Sequence, residues 1–300
     1  MGALPSGEQF GISWGDQSAT IVEVGGGIRR YAVGDRDVLQ PYPAEAMADG
    51  AHGAPLIPWP NRLEDGRYAF DGVDLQVALS EPDKANAIHG LLRWRSWRAG
   101  EHRADRVVLS TRLHPSAGYP FTLDISMAYA LGPEGLEVTA TATNVGDGPA
   151  PYGFGQHPYL SPGRGLIDDC SLQFEASTRI VTDDARQIPT GVEPVAGSAY
   201  DFATPRPIGD LVIDAGFTDL ARDADGRAWV RLGGPDGRTA ELWVDDRHPV
   251  LQLYSAHGLA PDRQRRGLAA EPMTCPPNAL RTGDRLLRLE PGAAVSTRWG

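Results

Sequence analysis

Lysine is almost missing from this chain of 300 residues: of 28 basic residues only Lys84 is a lysine. That scarcity excludes much chemistry. A Schiff-base mechanism would have to run through Lys84, in the polar stretch Ser80-Glu81-Pro82-Asp83-Lys84, and no Gly-Lys-Ser/Thr sequence is present to cradle a nucleoside triphosphate. Cysteine is nearly as scarce. Cys170 and Cys275 are too few for a disulfide framework and have neither CxxC nor Cys/His ligand spacing, so both are expected to be buried thiols.

Positive charge is also short. The formal net charge is −11 and no Lys/Arg run occurs, which argues against nucleic acid or an anionic membrane as partner and leaves a small molecule. No apolar run approaches a membrane span, and residues 2–8 lack the basic and apolar regions of a secretory signal, so the expected location is the cytoplasm. Helical periodicity is confined to residues 44–49, enough for a turn or two.

What the chain does have is turns and short strands. Its 36 glycines and 25 prolines make up about a fifth of the residues, against roughly an eighth in average usage. Between them lie segments with strand chemistry at 19–24, 106–111, 121–127, 136–141, 171–174, 228–232, 240–244, 250–254 and 286–289. In one of them Leu136, Val138 and Ala140 alternate with Glu137, Thr139 and Thr141, the period of a half-buried strand. Strands without crossover helices predict an all-β fold of mostly antiparallel sheets, packed as one large β-sandwich over residues 1–300. The Pro/Gly-rich passage 189–207 is read as a long loop within that single domain.

Five places carry candidate chemistry. In Pro151-Tyr152-Gly153-Phe154-Gly155-Gln156-His157-Pro158-Tyr159-Leu160, the proline pushes His157 toward an extended backbone and gives the imidazole a defined direction; the alternative is a structural histidine beside an ordinary turn. Asn61 and Arg62 follow Trp59-Pro60 and supply donors beside an aromatic, a set that suits sugar hydroxyls, while a plain salt bridge from Arg62 to Glu64 or Asp65 is the bland option. His89 precedes Gly90, which allows close approach, but a histidine ending a loop is often structural. Asp214 lies between an apolar residue and the Gly216 turn, where aspartate also serves its own backbone.

The fifth is Glu271, after the small or apolar residues Leu268-Ala269-Ala270 and before a proline-rich segment that is not expected to pair as a central strand. An apolar setting raises a carboxyl pKa toward the range useful for a general base; a partly exposed strand end is the alternative. Metal ligation is not expected, because His89 and His157 lie in neither HxH nor HExxH spacing. His52, His102, His114, His248 and His257 are assigned no role.

The order Asn61-Arg62, His89-Gly90, His157-Pro158-Tyr159, Asp214 and Glu271-Pro272, with Gly118-Tyr119-Pro120-Phe121 and Asn144 between, resembles the aldose 1-epimerase (galactose mutarotase) family over most of the chain. The resemblance implies that family's large antiparallel β-supersandwich and the interconversion of the α and β anomers of a free aldose. It implies Glu271 as general base and His157 as general acid, with Arg62, His89, Asp214 and Asn61 binding the substrate. Ring opening of a hemiacetal changes no oxidation state and transfers no group, so no cofactor and no metal is expected. The partner that the resemblance implies is a monosaccharide, and the protein is expected to act as a monomer or homodimer.

Gln156, Leu160, Met273 and Pro277 depart from residues common in that family, which bears on sugar preference rather than on proton transfer. Three other readings remain open from the residues. A non-catalytic carbohydrate-binding β-sandwich would be served by Arg62, His89 and Trp59 and would not require both His157 and Glu271. A hexose-6-phosphate 1-epimerase would need an arginine cluster for the phosphate. A glycoside hydrolase would need two carboxyl groups, such as Asp214 and Glu271, across the scissile bond.

Overall fold

Period-two alternation sets the clearest element of the fold. Leu123–Gly132 and Gly135–Asn144 each alternate buried and half-buried residues along ten positions. They pair antiparallel from Leu123 opposite Asn144 to Gly132 opposite Gly135. Their inward residues, among them Ile125, Met127, Tyr129, Val138 and Ala142, are fully or almost fully buried. Each large side chain of that set contributes about 1.5–3 kcal/mol. The computed structural model describes residues 2–161 and 163–300. Among these, two large sheets dominate, one of nine strands that contains this hairpin and one of twelve.

Every pairing between their strands is antiparallel, so the expected β-supersandwich is the observed fold. One hydrophobic cluster draws on both sheets, from Phe10 and Ile21 in the larger to Leu242 and Trp299 in the smaller. Cys170 and Cys275 are buried and free, as read from their spacing.

Two central strands of the larger sheet break the alternation. Val250–Tyr254 is buried at all but its last position and Leu268–Met273 at every position, because both faces of these strands are covered. Leu268–Met273 also corrects an expectation, since a strand holding Pro272 lies centrally, between Val250–Tyr254 and the short strands Gly155–Gln156 and Tyr159–Leu160. The physical reason is an interruption in the neighbour. Ala270 donates its N–H to Pro158 O at 3.1 Å. Two residues on, Pro272 faces the same side, where the neighbouring strand is broken at His157 and Pro158 and its missing donor interrupts no ladder.

Residues 189–207 are not one loop. They supply Pro189–Pro194 and Arg206–Pro207, each an edge strand of its sheet, where proline is tolerated. Residues 44–49 form no α-helix; a 3-10 turn, Asp49–Ala51, follows instead, with Gly50 at φ 57°. Among the described residues the one α-helix is Ala279–Thr282, closed by Gly283 at φ 77°.

Candidate active site

Strand register brings the two proposed proton-transfer residues together. Tyr159 pairs with Ala269 and Gly155 with Met273, so His157, midway, stands opposite Glu271. On its other side Glu271 pairs with Gln252, and Gln252 with Gly216. Cross-strand partners share a face, so His157, Glu271 and Gln252 form a row. The next row on that face holds Asp214, Tyr254, Ala269 and Tyr159. Gly216 makes space for its partner, since a Cβ there would lie 3.2 Å from Gln252 Oε1. His157 Nε2 lies 3.3 Å from Glu271 Oε1, and the two side chains are 6% and 2% exposed.

The main chain of His157 is fixed from a second direction. Its N–H donates to Ala54 O and its carbonyl accepts from the N–H of Gly53. From there the chain runs through Pro55–Leu56, which pairs with Gly155–Gln156, to Asn61 and Arg62. Arg62–Glu64 pairs with Asn86–Ile88, which ends at His89. His89 and Asn61, both at positive φ, close this pairing reciprocally: the His89 N–H donates to Asn61 O at 2.9 Å, and the Asn61 N–H donates to His89 Nδ1 at 3.2 Å. Nδ1 is therefore the acceptor, and the proton sits on His89 Nε2. Gly90 (φ 68°) is required beside it, because a Cβ there would lie 2.0 Å from Ile57 O.

Arg62, His89, His157, Asp214, Tyr254 and Glu271 all line one cleft of about 630 Å³. The alternatives of Glu64 or Asp65 as partner to Arg62 do not hold. Its Nε and Nη2 bond both oxygens of Glu81 at 2.8 and 3.0 Å, while Glu64 and Asp65 pair with Arg186 and Arg281. Asp214 accepts from Gln187 Nε2 at 2.5 Å and from Gln252 Nε2 at 2.7 Å. Asn61 also lines the cleft, but its side-chain oxygen accepts the Arg62 N–H at 2.8 Å, so the carbonyl is engaged by the chain itself.

A family model described as aldose 1-epimerase matches residues 12–298. The chain belongs to the aldose 1-epimerase family. It is 36% identical over 288 residues to the uncharacterized protein YihR of Escherichia coli, covering 96% of this chain and 90% of that protein. It is 26% identical to the E. coli aldose 1-epimerase over 246 residues, 73% of this chain and 69% of that enzyme. Among solved structures, a GalM/aldose epimerase homologue from C. elegans superimposes with a TM-score of 0.86 at 19% identity, each chain covered to 97%. That last likeness is one of fold.

Electrostatics in this aldose epimerase cleft favour neutral groups. Burial, and then the negative charge of Asp214, holds the Glu271 carboxyl well above the usual carboxylate range, with Arg62 opposing. Burial, followed by the neighbouring His52, pushes His157 below the usual histidine range. Burial also lowers His89, with Arg93, His157 and Arg62 adding to the effect. An ionised Glu271 beside a protonated His157, the pair that the family resemblance implies, is thus not the form that burial favours. A protonated Glu271 beside a neutral His157 is, and it carries the same number of protons.

Sequence reasoning missed several residues of the cleft. Glu81 and Gln187 are distant in sequence from the residues they hold and lie on loop or edge segments that carry no motif. Gln252 and Tyr254 are found only through their register with Glu271 and Asp214. His257, given no role, lines the cleft beside Tyr254. Lys84 lines it too and donates to Gln187 Oε1.

Proposed function

We propose that this protein is an aldose 1-epimerase that interconverts the α and β anomers of a free aldose. The observation that carries the reading is the buried contact between His157 Nε2 and Glu271 Oε1, set by register within a cleft that Arg62, His89 and Asp214 also line. Opening the ring removes a proton from the C1 hydroxyl and delivers one to the ring oxygen. Glu271 as carboxylate takes the first, and His157 as imidazolium gives the second. Rotation about the C1–C2 bond presents the other aldehyde face, and closure reverses both transfers.

The proton count supports this division of labour. Passing the proton of a neutral Glu271 to His157 across their contact creates the reactive pair without exchange with solvent. The sugar's C1 hydroxyl and ring oxygen would each then meet one partner of the pair. Arg62 and His89 Nε2 would donate to sugar oxygens, and Asp214, already held by two amides, would accept from adjacent hydroxyls. The test is polarimetry on freshly dissolved α-anomers of glucose, galactose, arabinose and xylose. Acceleration of anomer exchange for at least one sugar is expected. Tight sugar binding with no acceleration on any of them would replace this reading with that of a binding protein.

A further inference from the structure

The imidazole of His157 lacks the usual device that fixes a histidine in a proton-transfer site, a hydrogen bond from its second nitrogen to a carbonyl or carboxylate of another residue. Its Nδ1 is buried without a hydrogen-bond partner among the described residues. What fixes the ring is packing. Tyr159 stacks on one face at 4.9 Å between centroids and 22° between planes, and His89 meets it edge-on at 5.4 Å and 81°.

Tyr159 is itself held from behind. Its hydroxyl donates to Gly50 O at 2.8 Å, and the ring of His52 stacks on it at 4.3 Å and 11°. His52 is 2% exposed, yet both its nitrogens are satisfied. Nε2 donates to Gln40 O at 2.7 Å, Nδ1 accepts from Arg263 Nη2 at 3.3 Å, and Arg263 is ion-paired with Asp49. Tyr42 closes the far side of His52 edge-on at 5.5 Å. A leucine would fill such a space at no polar cost; an imidazole with both nitrogens bonded has one tautomer and one plane.

We propose that His52 is a positioning residue for proton transfer, fixing through Tyr159 the plane in which His157 presents Nε2 to Glu271 and the substrate. The kinetic part of this proposal rests on the mutarotase reading; the structural part does not. Displacement of a reacting group by about 1 Å costs up to roughly 100-fold in rate, so a loosened ring acts on kcat rather than on KM.

The test compares wild type with His52→Leu, which removes the stacked ring, His52→Phe, which restores a flat ring, and Arg263→Met, which keeps the stacked ring but removes the donor to Nδ1 together with the Asp49 ion pair. Thermal midpoint, kcat and KM by polarimetry, and the ¹⁵N resonances of the His157 ring are measured for each. His52→Leu is expected to lower kcat about tenfold with KM within about twofold and to shift or broaden the His157 ring resonances. His52→Phe is expected to recover most of the loss, and Arg263→Met to lose about threefold in kcat. Unchanged kcat and ring resonances in His52→Leu and Arg263→Met would overturn the proposal. So would a rate loss that tracks only the unfolded fraction while the resonances of the folded fraction stay in place. If wild type accelerates no anomer exchange, the mutarotase reading fails, and the ring resonances still decide for or against the stack.

Discussion

His157 and Glu271 meet at 3.3 Å because a strand interrupted at His157 keeps the register of its unbroken neighbour, so a histidine outside any ladder still faces a glutamate inside one. Their outer atoms, His157 Nδ1 and Glu271 Oε2, have no hydrogen-bond partner among the described residues. The contact between Nε2 and Oε1 is therefore the one polar link that the protein itself provides within the pair.

Removing either partner tests the pair as a unit. Glu271→Gln and His157→Asn are each expected to lower the mutarotation rate constant by about 100-fold or more, the loss typical of a missing general acid or base. The double variant is expected to lose little beyond the worse single one, because neither group can complete the transfer alone. Full polarimetric activity in either folded single variant would remove the assignment.

Arg62 reaches the cleft only as half of an ion pair. Two bonds to Glu81 fix its guanidinium, at side-chain exposures of 11% and 21%. Glu81→Ala frees the guanidinium without deleting it. The expected result is a KM raised about tenfold with kcat within about threefold, the pattern of lost ground-state positioning. A kcat effect larger than the KM effect would place Arg62 in the chemical step instead.

The sequence is most readable where one side of a strand faces the core. Leu136, Val138 and Ala140 announce their strand by alternation, and the structure extends it to Gly135–Asn144. Leu268–Met273 has no alternation to read, because it is buried on both faces, and Pro272 within it is tolerated only through a break in a neighbour over a hundred residues away. The same distinction governs the site. His157 and His89 stand beside a proline and a glycine that mark a fixed direction, and Arg62 follows Pro60-Asn61, whereas Gln187, Gln252 and Glu81 matter through what they hold. Such partners are set by register and loop closure, which no local pattern encodes.

Three of the four buried histidines predict an acid-sensitive fold. Burial lowers His52 to about 4 and His89 and His157 below the usual range, so each is bound neutral in the folded chain. A depressed folded pKa gives stability that is complete above the unfolded value, about 6.5, and is lost as pH falls toward the folded value. Urea unfolding between pH 7 and pH 4.5 is expected to show stability declining below about pH 6.5, by up to about 1.4 kcal/mol per pH unit for each group. His89→Gln removes one of the three and should flatten that decline. An acid limb as steep in the variant as in wild type would mean that His89 does not stay neutral on folding.

Glu271 predicts the opposite slope. Its folded pKa is raised, first by burial and then by Asp214, so its contribution is complete below the unfolded value, near 4.3, and is lost as pH rises through the folded one. Gln has the same shape and no proton to lose. Across the window between the two pKa values, the stability of Glu271→Gln relative to wild type should therefore grow with pH, by about 1.4 kcal/mol per unit. The substitution expected to lower activity should thus yield the more stable protein at pH 8, because a buried carboxyl is costly to ionise in the folded state. Urea midpoints for both proteins at pH 5 and pH 8 decide it: a difference that does not change with pH would show that Glu271 ionises in the fold as readily as in the unfolded chain.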